Sequence, residues 1–240
     1  MSPLEELPSS VSIAENVQKI REGIRQAALR AGRDPSTVQL VAATKTVSSS
    51  LLIEAYEAGV RIFGENRLQE AQEKKLAVGL RQGLAWHFIG RMQSRKIKDI
   101  VGKFTLIHSV ESVEQAHNIH VIAEKLGIQK PILLEVKEGG EDTKGGFACH
   151  DMSEAMNQID RLPHVAIQGL MTLPPFSDHP DDARPYFAEL RQLRDSLAQR
   201  NLTHGVVKEL SMGMSHDYQV AIEEGATMVR VGTAIFGKRG

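Results

Sequence analysis

The chain has 240 residues, with 29 Lys and Arg against 30 Asp and Glu, 41% hydrophobic residues and 25% charged ones. These ordinary globular values exclude a disordered or fibrous chain, and the balanced charge excludes the electrostatic footprint of a nucleic-acid binder. The single cysteine, Cys149, cannot close an intrachain disulfide, the acidic opening MSPLEELPSS has no apolar signal core, and no apolar run is long enough to span a membrane, so the reading is of a soluble, cytoplasmic protein.

The first element is a helix. Ile13, Val17, Ile20, Ile24, Ala27 and Ala31 recur at spacings of four and three, Ser12 and Glu15 form a capping box, and Gly32 with Pro35 supplies the stop. Eight short apolar runs follow: VQLVAAT from Val38, VRIFG from Val60, AWHFIG from Ala85, FTLIHSV from Phe104, PILLEV from Pro131, VAIQGLM from Val165, VVKELSM from Val206 and TMVRVG from Thr227. Their length, β-branching and apolar character on both parities predict parallel strands covered on both faces. Helical stretches lie between them. Ser112 and Gln115 cap one, Asp151 and Glu154 the next, and Asp181 starts one bearing Phe187, Leu190 and Leu197. With no linker and no composition shift, residues 1–240 read as one domain, a (β/α)₈ TIM barrel with an extra N-terminal helix within 1–32. A doubly wound open sheet is the alternative, because strand order is not written in one sequence.

A barrel carries its site at the C-terminal ends of its strands. The first strand ends in Lys45, which shares a parity with Val41 and Ala43. It reads either as a solvated lysine or as a Schiff-base lysine whose partly desolvated amine attacks an aldehyde. The second runs into Gly64, Glu65 and Asn66, the third carries Trp86 and His87, and the sixth ends in Met171. The seventh leads into Ser211-Met-Gly-Met-Ser215, and the eighth through Arg230 into Gly232 and Thr233. Small residues and hydroxyls after strands seven and eight suit a phosphate. A lysine facing that cradle suggests a phosphorylated carbonyl compound, either pyridoxal 5′-phosphate or the sugar phosphate of an aldolase. The Arg95, Lys96, Lys98, Lys103 cluster reads as a solvated helix face. The Gly-rich loop Lys137–Phe147 offers Lys144 as a second aldehyde acceptor or simply as a surface lysine.

At these residues the chain resembles a known family. The string Trp86-His-Phe-Ile-Gly-Arg-Met-Gln-Ser-Arg-Lys96 is similar to the signature of the YggS/PROSC family of pyridoxal phosphate homeostasis proteins. Ala43-Thr-Lys45, Gly64-Glu-Asn66, Gly169-Leu-Met171, Ser211–Ser215 and Arg230–Gly237 fall in that family's order and spacing. A more distant likeness runs to the N-terminal barrel domain of alanine racemases. The resemblance implies pyridoxal phosphate bound as an internal aldimine on Lys45. Ser215, Gly232 and Thr233 would hold its phosphate, Arg230 would face the pyridine nitrogen, and Asn66, His87, Met171 and Met214 would line it. Arg67 departs from the Tyr of many members, and the loop around Lys144 lacks their Asn.

The implied function is non-catalytic: a monomer that stores pyridoxal phosphate, delivers it to apoenzymes and shields the cell from free aldehyde. The rival is an amino-acid racemase. Racemisation needs an acid/base on each face of the substrate carbon, and Lys45 supplies one. Racemases of this type take the other from a tyrosine of a C-terminal β domain, which a chain ending three residues after Gly237 is expected to lack. Of Tyr56, Tyr186 and Tyr218, only Tyr218 falls near a site loop in sequence.

Overall fold

The computed structural model describes residues 12–137 and 145–237. Eight strands close into an all-parallel barrel in sequence order: β1 (Gln39–Ala43), β2 (Ile62–Glu65), β3 (Ala85–Phe88), β4 (Leu106–Val110), β5 (Lys130–Glu135), β6 (Val165–Met171), β7 (Glu209–Met214) and β8 (Met228–Val231). The ring closes where Val41 of β1 pairs with Arg230 of β8. This settles the architecture as the barrel rather than the open sheet.

Alternation along the strands separates two cores. Inside the barrel, Val41, Ile89, Leu106, Leu133, Met171 and Met228 form a small apolar cluster, with Ala43 and Ile62 packed on it. The opposite parity, including Ala42, Phe63, Trp86, Phe88, Val229 and Val231, joins a far larger core shared with the surrounding helices. This is why the strands are apolar on both parities.

The N-terminal helix α1 (Ile13–Arg30) starts as expected, with Ser12 Oγ accepting the Glu15 N–H at 3.2 Å, and stops before Gly32, whose φ of +66° suits glycine. Its buried face of Ile13, Val17, Ile20, Ile24, Ala27 and Ala28 packs on α2 (Ser49–Glu57), α8 (Tyr218–Glu223) and the terminal turn α9 (Thr233–Phe236). Each of the four larger side chains contributes about 1.5–3 kcal/mol by burial. The remaining helices are α3 (Leu68–Val78), α4 (Ile97–Val101), α5 (Val113–Lys125), α6 (Met152–Ile159) and α7 (Arg184–Ala198).

Three expectations shift. Val206–Lys208 runs beside β6 but joins no strand, because the chain first crosses tight against it: a Cβ on Gly205 would stand 2.2 Å from the Ile167 carbonyl oxygen. Asp151 does not cap α6. A 3₁₀ turn, Cys149–Asp151, feeds straight into that helix, so Asp151 is already helical and makes no capping bond. Asp181 lies in the 3₁₀ turn Pro180–Ala183 and pairs with Arg184, where α7 begins.

Candidate functional site

Lys45 follows β1 at the C-terminal mouth, half-buried, and shares a cleft of about 330 Å³ with Ala43, Thr46, Gly232 and Thr233. The backbone around it is clamped from α3. Lys74 Nζ donates to the Thr44 carbonyl at 2.5 Å and to Glu65 Oε1 at 2.6 Å, Thr44 Oγ1 donates to the same carboxylate oxygen, and Glu70 Oε2 accepts the Thr46 N–H at 2.9 Å. Thr46 has a φ of +63°, and it is the one non-glycine residue with positive φ among those described. That conformation costs on the order of 1–2 kcal/mol, which the Glu70 bond helps to offset. Glu65 is fully buried and its Oε2 has no partner among the described residues. Burial raises its pKa against the opposing pull of Lys74 and Thr44.

Gly232 and Thr233 line the same cleft, and Ser215 is bonded behind them. Ser215 Oγ accepts the N–H groups of Gly232 at 3.1 Å and Ala234 at 3.3 Å, so two backbone donors converge on one oxygen position. A Cβ on Gly232 would press within 3.1 Å of the Ala43 carbonyl oxygen, closing the approach from β1. Gly213, at φ +87°, also leaves no room, since its Cβ would lie 2.5 Å from that of Ala221.

Arg230 points into the barrel and is buried. Its Nη1 donates to Ser211 O at 2.7 Å and Ser211 Oγ at 2.6 Å, and its Nη2 to Thr172 O at 2.8 Å. Desolvation lowers its pKa to about 10, so it remains a cation at neutral pH. The hydroxyl proton of Ser211 is then free to face His108 Nδ1 at 2.8 Å, and His108 Nε2 lies 3.0 Å from His87 Nδ1. This polar chain crosses the barrel interior from β8 to β3. Burial pushes His87 down to about 4 and His108 well below the ordinary histidine value, with His87 and Arg230 adding to the effect on His108.

These shifts carry a pH dependence. Below 6.5 the unfolded chain takes up protons that folded His87 refuses until about 4, so its contribution to stability is complete above pH 6.5 and falls as the pH drops to 4. The fall from His87 is about 3 kcal/mol. Glu135 acts oppositely. Burial and then Glu111 raise its pKa to about 7, so stability present below 4.5 is lost as the pH rises through 7. Urea unfolding at a series of pH values is expected to show a shallower acid decline for His87→Asn than for the parent chain.

Asn66 and Met171 line a second cleft of about 470 Å³ on the β2–β6 side of the mouth, with Glu111 and Glu135. Met214 borders a small pocket with Phe176 and His216, while its strand neighbour is Arg230. His87 and Arg230, both buried, line none of these clefts. Tyr218 turns away from the mouth, its hydroxyl packed on Gly23 of α1. Lys144 lies outside the described residues; Arg67 is exposed and pairs with Glu70 at 3.3 Å. Of the residues that organise the site, His108, Lys74 and Glu135 had no expected role. Strand parity places His108 beside Leu106 on the inner face, the one signal in the sequence that points to it.

The alanine racemase N-terminal domain family matches residues 12–240. The pyridoxal phosphate homeostasis protein of Aquifex aeolicus is 44% identical, over 95% of this chain and 99% of its own length. That of Pseudomonas aeruginosa is 41% identical, over 95% of this chain and 96% of its own. Among solved structures, PipY of Synechococcus elongatus with PLP bound superposes at a TM-score of 0.83 and 36% identity, covering 94% of this chain and all of that one. The chain belongs to the pyridoxal phosphate homeostasis protein family.

Proposed function

We propose that this chain is a cytoplasmic, monomeric pyridoxal phosphate carrier, a single barrel domain over residues 1–240 that holds the cofactor covalently through Lys45 and hands it to apoenzymes without catalysing a reaction. The observation that carries this reading is the shared cleft: Lys45 lines one space with Gly232 and Thr233, and the N–H groups of Gly232 and Ala234 converge on Ser215 Oγ beside it. The names of the relatives and the PLP of PipY support it.

The residues present fit the group. When bound, pyridoxal phosphate supplies an aldehyde for a lysine amine and a phosphate for hydrogen-bond donors. Lys45 is the amine. Ser215, Gly232 and Thr233 are the donors, charge-assisted once an anion accepts from them. Arg230, cationic and fixed by three hydrogen bonds, opposes protonation of a ring nitrogen placed beside it and so weakens the ring as an electron sink. Asn66, Met171 and Met214 border the mouth around it, and His87 supports the polar chain beneath.

The racemase reading needs a second acid/base opposite Lys45. Among the described residues no tyrosine lines either cleft of the mouth. Incubating the cofactor-loaded protein with a panel of L-amino acids in deuterated buffer is therefore expected to change its visible spectrum without sustained deuterium incorporation, D-isomer or keto-acid release. Turnover of any amino acid above about 1 s⁻¹, the ordinary enzymatic range, would overturn the carrier reading.

A further inference from the structure

On the outer side of β3, away from the mouth, a groove of about 730 Å³ opens beside α3. Trp86 is in its wall, and Leu76 and Leu80 stand on its lip at 85% and 107% exposure. Its charged residues are Lys75, Arg81 and Lys103, and no carboxylate lines it. The Lys75 amine donates to the Lys103 carbonyl oxygen and lies 4.3 Å from the centre of the Phe104 ring and 5.4 Å from that of Trp86. It thus faces aromatic surface and further cations, with no acidic side chain in contact among the described residues.

We propose that this groove is an aldehyde-accepting site separate from the barrel mouth, taking a small aromatic aldehyde that carries an anionic group, with Lys75 as its covalent acceptor. The apolar wall takes the ring, and Lys103 and Arg81, which form no ion pair among the described residues, take the anion. In the reaction the uncharged Lys75 amine adds to the aldehyde carbon. A C–N bond forms, both amine hydrogens leave with the carbonyl oxygen as one water molecule, and an imine remains. Burial, with the charges of Lys103 and Lys130 and against a weaker pull from Glu65, lowers the Lys75 pKa to about 8. Roughly a tenth of the amine is then uncharged at pH 7, far more than for an ordinary lysine. The site does not depend on the reading of Lys45.

The test uses the full chain carrying Lys45→Ala, so that the mouth contributes no label. It is treated with 4-formylbenzoate or its neutral methyl ester, reduced with borohydride and mapped by peptide mass spectrometry. Lys75 is expected to label at least tenfold faster than the exposed Lys98 and Lys125 at pH 7.5, with a pH midpoint near 8. Fluorescence of Trp86, the only tryptophan in the chain, should change in step with labelling. Lys75→Arg, which keeps the charge, should lose both signals. Lys103→Ala should lower the ratio of anionic to neutral labelling. Labelling of Lys75 no faster than of Lys98 and Lys125, or an unmoved Trp86 signal, overturns the site; an unchanged ratio in Lys103→Ala overturns its preference for an anion.

Discussion

Replacing Lys45 by Ala is expected to abolish covalent retention of pyridoxal phosphate while leaving the barrel folded. Among the described residues Lys45 Nζ has no hydrogen bond or ion pair, and the side chain is only half-buried, so its loss opens no core cavity. The phosphate donors Ser215, Gly232 and Thr233 remain, so weak reversible binding should persist. Affinity should fall at least a hundredfold, about 2.7 kcal/mol, and the midpoint of thermal unfolding should stay within about 2 °C of the parent. Borohydride reduction with intact-mass analysis reads the covalent link, and equilibrium dialysis reads what binding is left. A full visible band that persists with Lys45 absent would show that the cofactor is anchored elsewhere than proposed.

Lys74→Ala should be the most destabilising single change near the site. It leaves Glu65, with no exposed surface and one oxygen already unpartnered, without its cation, and it strips the Thr44 carbonyl of a donor. Breaking a buried pair from one side costs about 3–5 kcal/mol, which for a chain of this size lowers the unfolding midpoint by about 6–20 °C. Because the folded state already raises the Glu65 pKa, the remaining carboxyl is best tolerated when protonated, so the deficit should shrink as the pH falls toward 4. The double variant Glu65→Leu with Lys74→Met should recover much of the loss, since apolar groups of similar size replace both charges. Denaturation at pH 7.5 and pH 4.5 measures all of this. A Lys74→Ala chain as stable as the parent would mean the pair is solvated rather than buried.

How much of this was legible beforehand depended on the range of the interactions. The α1 cap at Ser12, the stop at Gly32 and the apolar strand runs are set by neighbours a few residues apart, and each stands within the expected segment. The inward parity of Val41 and Ala43 likewise follows from local alternation. The polar chain was not legible. His87, His108, Ser211 and Arg230 come from four strands, and barrel closure alone brings His108 to Ser211 across 103 positions. The Lys74 clamp on Thr44 spans 30 positions and looks, in sequence, like one more charge on a polar helix. Asp151 failed as a cap for a related reason: the turn before it was already helical, a geometry that residue type does not encode.

The segregation of the two cores bears on how such a barrel can change over evolutionary time. Its fold rests mainly on the layer between strands and helices, while inside the barrel a handful of apolar side chains, Val41 to Met228, plug the space around the polar chain. Most positions at the mouth can therefore sample new chemistry with little risk to folding, which makes the scaffold a tolerant starting point for descendants that bind or act on different compounds. The buried Glu65–Lys74 pair is one exception, and Arg230 is another. Its three bonds tie β8 to Ser211 of β7 and to Thr172 just beyond β6, so any lineage that replaces it must first find another way to hold those strand ends together. That corner of the mouth should drift slowest, and a change there should arrive together with compensating substitutions at Ser211 or Thr172.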